Sequence, residues 1–107
     1  MALELKHRPP SKESKSLIQA GKYCYICGTE DALHKHHIFY GTANRKIADQ
    51  DGCWCWLCAF HHNMSNVGVH FNKRLDLVLK RTCQKAYQEA FNASNEDFIA
   101  RYGKSYL

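Results

Sequence analysis

Two short motifs constrain this chain more than anything else in it. Cys24-Tyr25-Ile26-Cys27 and Cys58-Ala59-Phe60-His61 each carry two metal-binding side chains spaced by two residues, and thirty residues separate the motifs. In a chain of 107 residues there is room for one domain with a small core, which buries only about 60 to 65% of the surface of the unfolded chain. Such cores are commonly supplemented by disulfides or a metal. Six of the seven histidines lie between His34 and His70, and imidazole mixed with thiol favours the metal. Two close pairs joined by a hairpin would make a closed tetrahedral set, and three thiolates with one imidazole suit Zn²⁺. Cys24, Cys27, Cys58 and His61 are therefore expected to hold a structural zinc. Cys53 and Cys55 alternate with Trp54 and Trp56, which predicts that both thiols face the core as small packing groups.

The rest of the chain reads as an α+β domain. Residues 1–16 are Lys-rich, include Pro9-Pro10 and lack apolar periodicity, so they are expected to form a flexible basic arm, with a short helical turn at Ser16 to Ala20. The domain proper is expected at 17–107, with a core at about 23–70 and helices at about 73–103. A tight turn falls at Tyr23 to Gly28, a strand at Leu33 to Tyr40, a polar loop at Thr42 to Asp51 and a second strand at Cys53 to Leu57. A short helix follows from Ala59 to about Asn66. Leu75, Val78, Leu79, Cys83, Ala86, Tyr87, Ala90 and Phe91 recur at spacings of three and four, which predicts a long helix from about Lys73 to Asn92. Ser94 and Asp97 have the spacing of a capping box and predict a last helix from Asn95 to Tyr102, stopped by Gly103. There is no signal-peptide core and no apolar run of membrane-spanning length. A soluble, cytoplasmic protein with reduced thiols and no membrane partner is the expectation.

A second set of imidazoles stands apart from the zinc motifs. His36 and His37 are neighbours on the first strand and must point to opposite faces, so one can bind metal while the other moves a proton. His62 follows His61 on a helix, where neighbours are turned by about 100°. One of that pair can face the zinc and the other a second metal.

A Cys-x-x-Cys, then His36-His37-Ile38 closing a strand, then a second strand entering Leu57-Cys58-x-x-His61-His62 and a helix, together resemble the HNH endonuclease module, the ββα-metal fold. The likeness covers Tyr23 to His70. Gly68-Val69-His70 and the terminal Gly103-Lys104-x-Tyr106 resemble small phage-encoded members, and a fainter similarity extends to RecA-dependent phage nucleases of the class. The resemblance implies hydrolysis of DNA phosphodiesters, leaving 5′-phosphate and 3′-hydroxyl ends. It makes His36 and His62 ligands of a catalytic divalent metal and His37 the general base, oriented by a backbone carbonyl of the intervening loop. His70 becomes a further ligand or a phosphate contact, against the plainer reading of a turn residue. The family's Asn falls near Cys53, so Asn44 is the candidate for that position. Mg²⁺ or Mn²⁺ would serve catalysis, and two imidazole ligands also suit Zn²⁺ or Ni²⁺. Recruitment by a phage packaging, replication or recombination protein would fit such a small nuclease.

Charge agrees with a nucleic-acid partner. Fifteen Lys and Arg stand against ten Asp and Glu, a net +5. Lys35, Arg45, Lys46, Lys73 and Arg74 flank the histidine elements and are the expected contacts to the DNA backbone, joined by Lys6, Arg8, Lys12 and Lys15 of the arm. Lys80, Arg81 and Lys85 read as a solvated helix face. The rival reading is a non-catalytic zinc-binding module that docks nucleic acid or a protein, with the extra histidines as bystanders.

Overall fold

The computed structural model describes residues 14–62 and 68–107. Most of the expected arm, and residues 63–66 of the expected helix after Cys58, lie outside the described residues. Two antiparallel strands, β1 (Leu33–His37) and β2 (Trp54–Cys58), pair in a register running from Leu33 opposite Cys58 to His37 opposite Trp54. The pleat sends alternate side chains to opposite faces. Cys55 and Leu57 are thereby fully buried together with His36, and Cys53 just ahead of β2 is buried with them. Trp54 and Trp56 occupy the other face, rings edge to face at 5.6 Å, with Lys35 and Lys22 ammonium groups over them at 4.5 and 4.6 Å.

β1 is shorter than its sequence suggests. Ile38 and Phe39 leave the sheet and enter the core, although the Ile38 amide still donates to the Cys53 carbonyl at 3.0 Å. Nor is there a helical turn at 16–20. This stretch instead runs along the outer edge of β2 and satisfies its backbone: Ser16 Oγ donates to the Trp54 carbonyl, and the Trp56 amide donates to Gln19 Oε1 at 2.8 Å. The edge is covered rather than left open to another chain.

The largest departure from the sequence reading is at residues 42–51, expected as a loop. They form a helix, α1 (Thr42–Asp51). The apolar pattern is faint because the inward face of α1 is largely polar: Ala48 and Asp51 are buried, and Asn44 and Ile47 are half-buried. Polar groups can be buried when they are paired. Asp51 is fully buried, and accepts from Arg101 Nη2 at 2.9 Å and from the Tyr102 hydroxyl at 2.7 Å. α1 ends at Gly52, left-handed at φ 81°, where any side chain would collide with the Lys15 backbone carbonyl.

The chain then enters α2 (Ala59–His62) directly from β2, and a 3-10 turn at Val69–Phe71 leads to α3 (Lys73–Ala90). Asn72 caps α3, its side-chain oxygen accepting from the Leu75 amide at 3.0 Å. Leu79, Cys83 and Tyr87 of the expected stripe are buried, while Val78 is exposed and Gln84 is buried in its place. Gln84 is satisfied by Asn95, Ser105 and the Tyr106 amide, which docks the C-terminal tail. The last helix, α4 (Asn95–Tyr102), has the expected capping box, with Ser94 and Asp97 each accepting from the other's amide at 3.0 Å. Phe39, Tyr87, Phe98 and Tyr102 pack ring on ring beneath α3 and α4. The result is a small mixed α and β domain. Among the described residues no helix is long and apolar enough to cross a membrane.

Candidate metal centres

The two cysteine motifs meet as their spacing requires. The first lies in a tight turn in which the Gly28 amide donates to the Cys24 carbonyl at 2.8 Å and Gly28 takes φ 82°. The second sits where β2 becomes α2, so Cys58 and His61 are one helical turn apart. Cys27 Sγ and Cys58 Sγ are separated by 3.8 Å, and His61 Nδ1 lies 3.8 Å from Cys24 Sγ and 3.4 Å from Cys58 Sγ. A tetrahedral ion bound at about 2.3 Å to sulfur and 2.0 Å to nitrogen requires edges of about 3.8 Å between sulfurs and about 3.5 Å from sulfur to nitrogen. These three edges match a tetrahedral ion, and all four ligand atoms lie within 4.8 Å of one another, close enough to hold one ion. Burial raises the Cys24 thiol, but amide donors of Cys58, Cys27 and Ile26 outweigh it and bring the thiol down to about 6, favouring the thiolate that a metal needs. For Cys27 the Thr29 amide works downward, while desolvation and the neighbouring thiols Cys24 and Cys58 carry the balance upward.

A second cluster gathers His36, His62 and His70, whose ring nitrogens could hold another ion. His36 comes from the core face of β1, His62 from the end of α2 and His70 from the 3-10 turn. His61 and His62 thus serve different clusters, as their rotation on a helix requires. His62 Nε2 and His70 Nε2 are 3.0 Å apart, the length of a direct N–H···N bond and also the separation of two ligands at about 2.1 Å and a right angle. His36 Nε2 is buried and has no hydrogen-bond partner among the described residues. A buried nitrogen of this kind beside two more imidazoles could ligate a metal. Burial, reinforced by the charges of His62 and His70, lowers His36 to about 3, and burial with His70 and His34 lowers His62 to about 4. Both rings are neutral at pH 7, the form that binds metal.

His34, which the sequence reading left without a role, lies on the same face of β1 as His36. Its Nδ1 is 3.0 Å from His62 Nδ1. A hydrogen on His62 Nδ1 donated to His34 leaves the lone pair on Nε2, the nitrogen that faces His70.

His37 sits at the end of β1 on the opposite face, and its Nε2 is 2.9 Å from Asp49 Oδ1. Lys35 Nζ reaches the same oxygen at 2.8 Å. Burial would raise the Asp49 carboxyl, but the bonds from Lys35 and His37 hold it below its ordinary value. Where the resemblance implied a backbone carbonyl for His37, the structure places a carboxylate. Asp49 was missed because its segment was read as a loop. As a helix, Arg45 and Asp49 at a spacing of four share one face of α1.

His36, His37, His62 and His70 line a single pocket of about 390 Å³ with Lys35, Tyr40, Gly41 and Arg45. Among the described residues no carboxylate lines it. Gly41 opens α1 without a side-chain cap, and no acidic residue occupies the first turn. Of the other expected DNA contacts, Lys46, Lys73 and Arg74 are exposed. Arg74 borders a separate shallow groove with His61, Ile26 and Val78. Asn44 does not line the pocket, and its amide donates to the Tyr102 carbonyl at 3.5 Å. Lys80 is no solvated lysine: it pairs with Asp76 at 2.9 Å and lies over the Tyr40 ring at 4.3 Å. Compared with protein-family models, curated proteins and solved structures, the chain matches none.

Proposed function

We propose that the chain is a metal-dependent HNH-type endonuclease that hydrolyses DNA phosphodiester bonds. The observation that carries this reading is the convergence of His36, His62 and His70 with His37 in one pocket that also presents Arg45 and an uncapped helix N-terminus. Beside the imidazoles, the pocket presents Lys35, Arg45 and the start of α1, which favour an anion. The N-terminal amides and dipole of α1 attract phosphate, and the Arg45 guanidinium can pair with it.

In this reading Cys24, Cys27, Cys58 and His61 hold a structural zinc that fastens the hairpin to α2. His36, His62 and His70 would hold a divalent ion, Mg²⁺ or Mn²⁺, with Zn²⁺ or Ni²⁺ also suited to imidazole. When bound, that ion supplies positive charge against the charge that develops on the phosphate and the leaving oxygen. His37 takes a proton from water at Nδ1, the nitrogen turned away from Asp49. The resulting hydroxide attacks phosphorus, the P–O3′ bond breaks, and the 3′-oxygen leaves and picks up a proton from solvent. His37 then returns its proton to bulk water. Arg45 and the first turn of α1 hold the phosphate in line during attack.

Plasmid nicking tests this. Purified protein with Mg²⁺ or Mn²⁺ should convert supercoiled DNA to open circles, and chelator should stop it. His37→Ala should keep its metals and fold but lose activity by at least about a hundredfold, the usual contribution of a general base. Equal rates for wild type and His37→Ala would refute the enzyme and leave a zinc-based docking module as the reading.

A further inference from the structure

We propose that Asp49 is a positioning residue that holds His37 in the one tautomer and orientation able to accept a proton from water. The inference rests on the nuclease reading and identifies what makes its base competent. A neutral imidazole carries its hydrogen on one nitrogen and a lone pair on the other. An ionised carboxylate can only accept hydrogen bonds, so the contact between Asp49 Oδ1 and His37 Nε2 at 2.9 Å requires the hydrogen to be on Nε2. The lone pair is then on Nδ1. Lys35, bonded to the same Asp49 oxygen at 2.8 Å, keeps the carboxylate charged. When Nδ1 takes a proton, the N–H on Nε2 keeps its bond to Asp49, so the ring holds its orientation through the transfer.

Asp49 itself is held firmly. Its backbone carbonyl accepts from the Ser14 amide at 2.7 Å, so the end of α1 is fastened to the segment that covers β2. Two residues further on, Asp51 anchors the same helix to Arg101 and Tyr102 of α4. A catalytic group supported by a packed helix is placed more accurately than one supported by a loop. One face of α1 therefore carries a guanidinium that lines the pocket, Arg45, and four residues later a carboxylate that holds His37 from outside it. A competing role for Asp49 is to neutralise Lys35, which would leave His37 unaffected.

The test compares wild type with Asp49→Asn, which keeps the size of the side chain and can turn its NH₂ toward Nε2. Nitrogen-15 NMR of zinc-loaded protein reads the His37 tautomer without any need for activity. Wild type should show the Nε2–H form, and Asp49→Asn should shift His37 toward Nδ1–H. Nicking by Asp49→Asn should fall at least about a hundredfold in kcat, with KM for plasmid within about twofold and both metal equivalents retained. An Nδ1–H tautomer in wild type, or unchanged kcat in Asp49→Asn, would overturn the role of Asp49 and leave the nuclease reading standing. A wild type that does not nick overturns the nuclease reading itself, and this role with it.

Discussion

Arg101→Met removes the cation that balances a carboxylate with no exposure to solvent, and the cost can be worked from the structure. Asp51 is fully buried, and Arg101 reaches both of its oxygens through Nε and Nη2, while the Arg101 side chain itself is 27% exposed. Removing one partner of a buried ion pair costs about 3 to 5 kcal/mol, because the remaining charge has lost its counterion. Water entering the space vacated by the partly exposed guanidinium, together with the retained Tyr102 hydroxyl, places the loss near the low end, about 3 kcal/mol. For a domain of this size each kcal/mol moves Tm by about 4 to 8 °C, so a fall on the order of 15 °C is expected. Urea unfolding in saturating Zn²⁺ measures it, with an unchanged m value showing that stability rather than compactness has moved. Asp51→Asn in the Arg101→Met background removes the charge that Arg101 balanced and should recover about half of the loss. A loss under about 1 kcal/mol for Arg101→Met, or strict additivity in the double variant, would refute the argument that α1 is locked to α4 through this pair.

With a structural zinc in the cysteine cluster as proposed, removing the metal should unfold the chain. A structural zinc contributes on the order of 10 kcal/mol of folding free energy, as much as the whole stability of a typical small domain. Strong chelator or Cys58→Ser should abolish the cooperative thermal transition by circular dichroism, and a chelated protein that still melts cooperatively would exclude the role. Acid sensitivity should come from His36. In the folded chain its value lies at about 3, against an ordinary 6.5. Between these values the unfolded chain binds a proton that the folded chain refuses, so this contribution is complete above about pH 6.5 and declines as pH falls toward 3. At pH 5 wild type should have lost about 2 kcal/mol relative to pH 8 from this group. In urea melts with no second metal added, His36→Gln should be flatter over the same range by that amount, and parallel profiles would show that His36 is not kept neutral by the fold.

What could be read from the residues was local. Cys24 with Cys27, and Cys58 with His61, are close because a tight turn and one helical turn fix separations over three residues, whatever the rest of the chain does. The same holds for the Ser94 and Asp97 capping box, for the opposite faces of His36 and His37, and for the packing role of Cys53 and Cys55 beside the two tryptophans. Tertiary structure decided where a residue's partner is distant and polar. α1 carries few apolar residues because its inward face is completed by Arg101 and Tyr102, some fifty positions away, and nothing local to Thr42–Asp51 marks that pairing. With α1 unseen, Asp49 could not be matched to His37, nor Arg45 and the open helix end to the pocket. His70 was a possible ligand by resemblance, and the fold brings it beside His36 and His62. Short-range geometry follows from bond lengths and dihedral preferences, whereas a buried charge is tolerable only once the whole fold has supplied its counterpart, so the ligand pairs were legible and the frame that aims the base was not.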